Sequence, residues 1–175
     1  MRTGSDGKVY CVLLESNKSC IWGARIGKDV QSAADALGVE LLSVEAIRPD
    51  DFEGAFARIA GAQADALLVS ADAFMFSNRV ALVDMAARHK MPAVYPIREF
   101  AAGGGLVCYG TNYPEARRQV GDYLGRELNG ERPENLPVRQ VTKLKLVINM
   151  KTAKALGLAV PPSRPNFRLS SDISS

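Results

Sequence analysis

The chain has 175 residues, 47% of them hydrophobic, and a formal net charge of +3 with charges of both signs mixed along its length. This suffices for one compact domain or two small lobes, and the lack of a lysine- or arginine-rich block argues against nucleic-acid binding. No apolar run approaches the roughly 20 residues of a membrane span, and three scattered cysteines with one histidine favour neither a disulfide framework nor a zinc site.

The two ends of the chain are polar. Residues 1–8 are predicted to form a disordered N-terminus, and they lack the apolar core of a signal peptide. The chain as written is therefore predicted to stay in the cytosol. Residues 161–175 combine prolines with serines and are predicted to form a disordered tail.

Four short apolar segments, each followed by a helix signal, organise the first hundred residues. The predicted strands are Val9–Leu14, Val39–Val44, Ala66–Ser70 and Ala93–Tyr95. The predicted helices run from about Trp22 or Arg25 to Leu37, from Pro49 through Ile59, and from Ser77 as N-cap to about Lys90. Strand–helix–strand units of this kind pair their strands in parallel, so the sequence predicts an α/β fold with a parallel sheet.

The regularity changes after Phe100. The predicted elements are a flexible passage at Ala101–Gly105, a strand at Leu106–Tyr109, a helix from Asn112 to about Leu128, a strand at Leu144–Ile148, and a short helix capped by Asn149. Asn112 and Glu115 have the spacing of a capping box, in which the two side chains would close the first turn of the helix.

Polar and aromatic side chains follow three of the predicted strands. The candidates are Ser70, Asp72, Phe74, Phe76 and Ser77 after the third strand, Tyr95, Arg98 and Glu99 after the fourth, and Tyr109 and Asn112 after the fifth. Because ligands of parallel sheets bind at the carboxyl ends of strands, these loops are expected to form any site the chain has. Rings there can stack on an apolar ligand, an arginine can hold a carboxylate, and a helix N-terminus favours an anion.

Several candidates also have a structural alternative. Phe74 and Phe76 are also consistent with packing under the following helix. Arg98 and Glu99 fit a surface ion pair that contributes little, and Asn112 fits a simple helix cap. The segment Gly23–Asp29 does not match a phosphate-binding loop. No nucleophile–base–acid set, metal-ligand cluster or cofactor fingerprint is present, which predicts a protein that is not an enzyme.

Ordered sequence pieces along the chain resemble one known family. L-P-V-R-Q-V-T-K-L-K-L-V-I-N-M-K-T-A-K-A-L-G-L resembles the closing segment of the ABC transporter substrate-binding protein family that includes tryptophan/tyrosine-type binders. The upstream pieces A-A-D-A-L-G-V-E-L, A-D-A-L-L-V, A-A-R-H-K-M-P-A-V-Y and R-E-F-A-A-G-G-G-L-V-C-Y-G resemble the same family in the same order.

This resemblance implies a type I periplasmic-binding fold with Rossmann-like layers: two α/β lobes that hold a small ligand between them. On that pattern 9–100 and 140–160 form the ligand-binding lobe 2, 101–139 is a remnant of lobe 1 with hinge crossings, and most of lobe 1 is absent. The loop 70–77 would face the ligand, while Tyr95, Arg98 and Glu99 would lie at the hinge and cleft edge. The full-length family is periplasmic and works with an ABC transporter permease.

Two consequences and two alternatives complete the expectations. Loss of lobe 1 would expose Leu106, Val107, Val120 and Leu124, which predicts self-association through the lobe 1 remnant. The ligand implied is an amino acid or another small carboxylate. The alternatives are a ligand-sensing regulatory domain of the same fold, which a preceding helix-turn-helix would support, and a small nucleotide-dependent α/β enzyme, which a phosphate loop would support.

Overall fold

The computed structural model describes residues 8–15, 21–137 and 144–161. The strands are β1 Val9–Glu15, β2 Glu40–Ala46, β3 Ala66–Val69, β4 Ala93–Tyr95, β5 Val107–Thr111 and β6 Leu144–Ile148. The helices are α1 Ile21–Leu37, α2 Asp51–Gly61, α3 Ala73–Ser77, α4 Arg79–Arg88, α5 Arg98–Ala102, α6 Tyr113–Leu128 and α7 Met150–Ala155, with a 3-10 turn at Pro133–Asn135. The predictions for 1–7 and 162–175 lie outside the described residues. Within those residues, no helix is both long and apolar enough to cross a membrane.

The strands form one six-stranded sheet in the order β2-β1-β3-β4-β5-β6. The first five strands are parallel, which confirms the predicted α/β class and its four leading strands. Their short apolar sequences place one side of the sheet against α2 and α4. Phe52, Phe56 and Ile59 of α2, spaced one and two helical turns apart, are all buried there.

The last strand differs from the predicted parallel arrangement. β6 pairs antiparallel with β5, and Thr111 at the end of β5 faces Leu144 at the start of β6. A parallel β6 would need a connecting helix that packs on the sheet and brings the chain back to the end where β5 begins. Helix α6 carries no buried residue and does not act as such a crossover. The chain therefore re-enters the sheet at the end where β5 stops.

Two helix starts also differ from the predictions. Ser77 is the last residue of the short helix α3, and its hydroxyl donates to the Ala73 carbonyl at 2.8 Å instead of capping α4. Asn78 stands at the N-cap of α4. Asn112 is the N-cap residue of α6, but its side chain makes no capping hydrogen bond, so that half of the predicted capping box is not formed.

Helix α6 presents its apolar residues to the outside. Val120 is 67% exposed and Leu124 is 55% exposed, as predicted. Leu106 was also expected to be partly exposed, but it is only 7% exposed, because it lies among residues of α4 and α7. The division into lobe 2 and a lobe 1 remnant at 101–139 stays a prediction: β5 shares the sheet with β1–β4, whereas α6 does not pack on it.

Candidate functional site

A groove of about 280 Å³ opens at the carboxyl ends of β3 and β4. We call it the edge groove. It is lined by Ala71, Asp72, Ala73, Phe76, Pro96, Ile97, Glu99, Tyr113 and Arg117. Three chain segments meet here: the β3–α3 junction, the β4–α5 turn and the first turns of α6. The location is the one expected for a ligand of a parallel sheet.

Asp72 fixes the β3–α3 side of the edge groove. Its backbone is extended, as expected for an N-cap residue, and Oδ1 accepts a hydrogen bond of 2.7 Å from the Met75 backbone N–H. Its Oδ2 accepts a hydrogen bond from the hydroxyl of Ser70, which is buried behind it. Both contacts hold the carboxylate rigidly at the groove wall.

The ring of Phe76 is the main apolar surface of this wall. Phe76 is 42% exposed because α3 is short and turns this residue away from the core. The Arg79 guanidinium carbon lies 5.1 Å from the centre of its ring, a cation–π distance. The neighbouring Phe74 points the other way and packs on Phe52, with 5.4 Å between ring centres. Phe74 and Phe76 are two positions apart on α3, so they lie on opposite faces of the helix, one toward the core and the other toward the groove.

The β4–α5 turn forms the floor. Pro96 and Ile97 line the edge groove, and Glu99 lies in the first turn of α5. Strand β5 runs directly against this turn: a Cβ atom added to Gly110 would sit 1.9 Å from the Pro96 carbonyl oxygen. Only glycine allows this approach, so Gly110 sets the position of the floor.

Helix α6 supplies the opposite wall. Tyr113 and Arg117 are four residues apart, so their side chains lie one above the other on one face of the helix. Neither Arg117 nor Glu99 forms an ion pair with any residue in 8–15, 21–137 or 144–161. The edge groove therefore combines a guanidinium and a carboxylate that are not neutralised within the described chain with two exposed aromatic rings.

A narrow crevice of about 10 Å³ lies beside the edge groove. Arg98, Cys108 and Asn112 line it, and the Asn112 Oδ1 atom is buried without a hydrogen-bond partner in the described part of the chain. The space suits one water molecule, which would satisfy this oxygen. Burial raises the pKa of the Cys108 thiol to about 12, so at neutral pH this cysteine is not a thiolate nucleophile.

The structure brings together only part of the predicted site. Asp72, Phe76 and Glu99 line the edge groove. The other seven candidates do not: Ser70, Phe74 and Tyr95 are turned into the protein, Arg98 and Asn112 line the crevice, and Ser77 and Tyr109 are exposed elsewhere. Tyr95 is 1% exposed and stacks on Phe100 with 4.7 Å between ring centres. Burial raises its pKa well above the usual range.

Six lining residues were not predicted from the sequence: Ala71, Ala73, Pro96, Ile97, Tyr113 and Arg117. The first four belong to the predicted loops, and they could have been found by including the apolar residues that flank the polar ones. Tyr113 and Arg117 carry no such signal, because they reach the groove only through the path of α6. No group of three or more His, Cys, Asp or Glu side chains suited to a metal occurs in the described ranges.

Comparisons with known proteins give one matching family and several similar folds. The family model described as ABC transporter substrate binding protein matches residues 18–163. A conserved domain protein from Vibrio cholerae is similar with TM-score 0.76 and 23% identity, over 89% of this chain and 52% of that one. An ABC domain from Streptococcus pneumoniae, in complex with L-Trp, gives TM-score 0.75 and 21% identity, over 88% and 51%.

A third similar structure is the ligand-free, open form of a substrate-binding protein with adhesive properties from Clostridium difficile. It has TM-score 0.68 and 21% identity, over 94% of this chain and 54% of that one. The chain thus spans about half the length of the solved structures it matches. These likenesses establish the fold. No curated protein sequence matches the chain.

Proposed function

This chain belongs to the ABC transporter substrate-binding protein family, and we propose that it captures a zwitterionic amino acid with an apolar or aromatic side chain for an importer of that type. The observation that carries the proposal is the edge groove, where opposite charges flank two aromatic rings. The family is generally not enzymatic, and the proposed role makes or breaks no bond.

The groove residues have complementary roles in this proposal. The Arg117 guanidinium binds the ligand carboxylate, for which its fork of N–H donors is suited. The Glu99 carboxylate binds the ammonium group, with Asp72 as a second negative charge held in place by its capping bonds. Phe76 and Tyr113 stack on the side chain of the ligand.

The wider mechanism follows from the family. A second α/β lobe closes over the ligand by hinge motion, and the closed form is recognised by the membrane permease of the transporter. In this proposal the crossing from β5 to α6 is a hinge strand, because it leaves the sheet beside the edge groove. The L-Trp complex of the Streptococcus pneumoniae protein supports an aromatic amino acid as the first ligand to test.

The test is titration of the chain with L-Trp, followed by backbone amide NMR shifts, which detect weak binding. An open half-cleft should bind in the range of about 1 mM, or about −4 kcal/mol. Tryptamine and indole-3-propionate keep the ring and lack the carboxylate or the ammonium group, respectively. Each should bind roughly tenfold more weakly, since each loses one charge-assisted contact.

Matched variants assign the site. Arg117→Gln should weaken L-Trp binding by about tenfold, the order of one lost hydrogen-bonded charge. Arg118→Gln is the control, because Arg118 is an exposed neighbour on α6 that does not line the groove. Equal affinities of the two variants would refute the assigned role of Arg117. Shifts confined to another part of the chain, or any turnover of the ligand, would refute the proposed function.

A further inference from the structure

A second cavity lies at the other end of the strands from the edge groove. It has a volume of about 190 Å³ and opens between α4 and α7, below the amino ends of β4 and β5. We call it the α4–α7 cavity. Its apolar walls include Val83, Met91, Leu106 and Leu156. The volume is comparable to that of cavities that accept a benzene ring, with room for one small substituent.

Small residues create this space. Ala86, Ala87 and Ala155 line the cavity from the two helices, where larger apolar side chains would fill it. Gly105 completes the wall, and a Cβ atom there would lie 2.7 Å from the Tyr95 ring atom Cε2. The close contact holds the Tyr95 ring in one orientation, stacked between Gly105 and Phe100.

Tyr95 is one of three residues with a polar side chain that line this cavity. The residue lines the cavity and is 1% exposed. A tyrosine side chain presents an apolar ring together with a hydroxyl that can donate a hydrogen bond. A molecule in the cavity with an acceptor atom would be a suitable partner for that donor.

Two more polar groups mark the limits of the cavity. The Thr152 hydroxyl donates to the Gly104 carbonyl at 2.7 Å, and so it fixes α7 to the glycine turn. Lys90 lines the cavity and is exposed, which places it at the opening. Lys90 forms no ion pair with any of the described residues. Lys90 is the charged residue among those that line the cavity, and its positive charge favours an anionic ligand.

We propose that the α4–α7 cavity is a second small-molecule site, which binds a single-ring aromatic carboxylate. The ring occupies the apolar interior, the carboxylate is bound by the Lys90 ammonium, and the Tyr95 hydroxyl is a second donor. The site is independent of the proposed function, because no residue of the edge groove lines it.

Benzoate is the probe, and the measurement is the methyl NMR shifts of the whole chain during titration. Benzoate should shift the methyls of Met91, Leu106 and Leu156 with a dissociation constant in the low millimolar range, while Ile97 in the edge groove stays unchanged. Benzamide, which is neutral, should bind about fivefold more weakly.

Variants at both polar groups test the assignment. Lys90→Gln should weaken benzoate binding about fivefold, whereas Lys154→Gln, an exposed α7 lysine outside the cavity, should leave it unchanged. Tyr95→Phe keeps the ring contacts and should weaken binding about threefold. No methyl shifts at about 20 mM benzoate, or equal affinity in Lys90→Gln and Lys154→Gln, would overturn the proposal.

Discussion

Replacing Gly110 with alanine should displace β5 from the turn that forms the floor of the edge groove. The new Cβ atom would sit 1.9 Å from the Pro96 carbonyl oxygen and 3.0 Å from its carbonyl carbon. Contacts below 3.0 Å are essentially never seen for Cβ atoms. Both partners are backbone, so no side chain can rotate away, and the two segments must separate by about 1 Å.

The size of the effect follows from what that separation disrupts. β5 joins the sheet through β4, with Tyr95 opposite Cys108, two positions from Gly110. Overpacking of this kind typically costs 1–3 kcal/mol and occasionally more, and we expect about 3 kcal/mol because the clash is with backbone. For a chain of this length the melting temperature should fall by roughly 6–12 °C.

The assay is thermal unfolding followed by circular dichroism, with L-Trp titration of the folded variant. Gly54→Ala is the matched control: Gly54 lies in α2, is exposed, and has no atom within 4 Å of an added Cβ. Alanine is the better helix former there by about 1 kcal/mol, so this control should melt slightly higher than the wild type.

Two results would refute the reasoning. If Gly110→Ala melted within about 2 °C of the wild type, β5 would not lie against the Pro96 carbonyl as described. If the variant were destabilised but bound L-Trp as the wild type does, Gly110 would support the sheet without positioning the groove floor.

Two further predictions concern the exposed helix and the buried thiols. We expect self-association through α6, and Leu124→Glu should reduce it in sedimentation velocity. Leu37→Glu is the control, because Leu37 is a still more exposed leucine on α1. Equal sedimentation of the two variants would contradict this. Burial raises the pKa of Cys11 to about 11 and that of Cys108 to about 12. The neutral thiols therefore contribute their full stability below about pH 9, and this contribution is lost as the pH rises through those two values. Melting should therefore fall above pH 9, less steeply in Cys108→Val, and parallel curves would count against it.

Helix and strand assignment was largely accessible from the sequence. Val9–Leu14, Ala66–Ser70 and Ala93–Tyr95 are short apolar runs between helix signals, and all three became parallel strands. The buried face of α2 was predictable because Phe52, Phe56 and Ile59 recur at helical spacing. These features depend on local periodicity, which a single sequence contains.

The position of the edge groove was also predictable from the sequence, but the set of side chains that line it was not. The rule for parallel sheets indicated the loops after β3 and β4, and Asp72, Phe76 and Glu99 line the edge groove. Tyr95 belongs to the same stretch, yet it lies in the interior, because the close approach of Gly105 makes room for its ring. Only the packing of two distant residues decides which side of the strand end a side chain occupies.

The sequence by itself determined the α/β class, the four leading strands and the edge of the sheet where polar and aromatic residues gather. The tertiary structure alone decided that β6 runs antiparallel, and that Tyr113 and Arg117 of α6 form the far wall of the groove. The physical reason is that periodicity reports which face of an element is apolar, whereas the path of a chain between elements depends on contacts that are remote in sequence. Gly110 against Pro96 is such a contact, and it sets where β5 ends and where α6 begins.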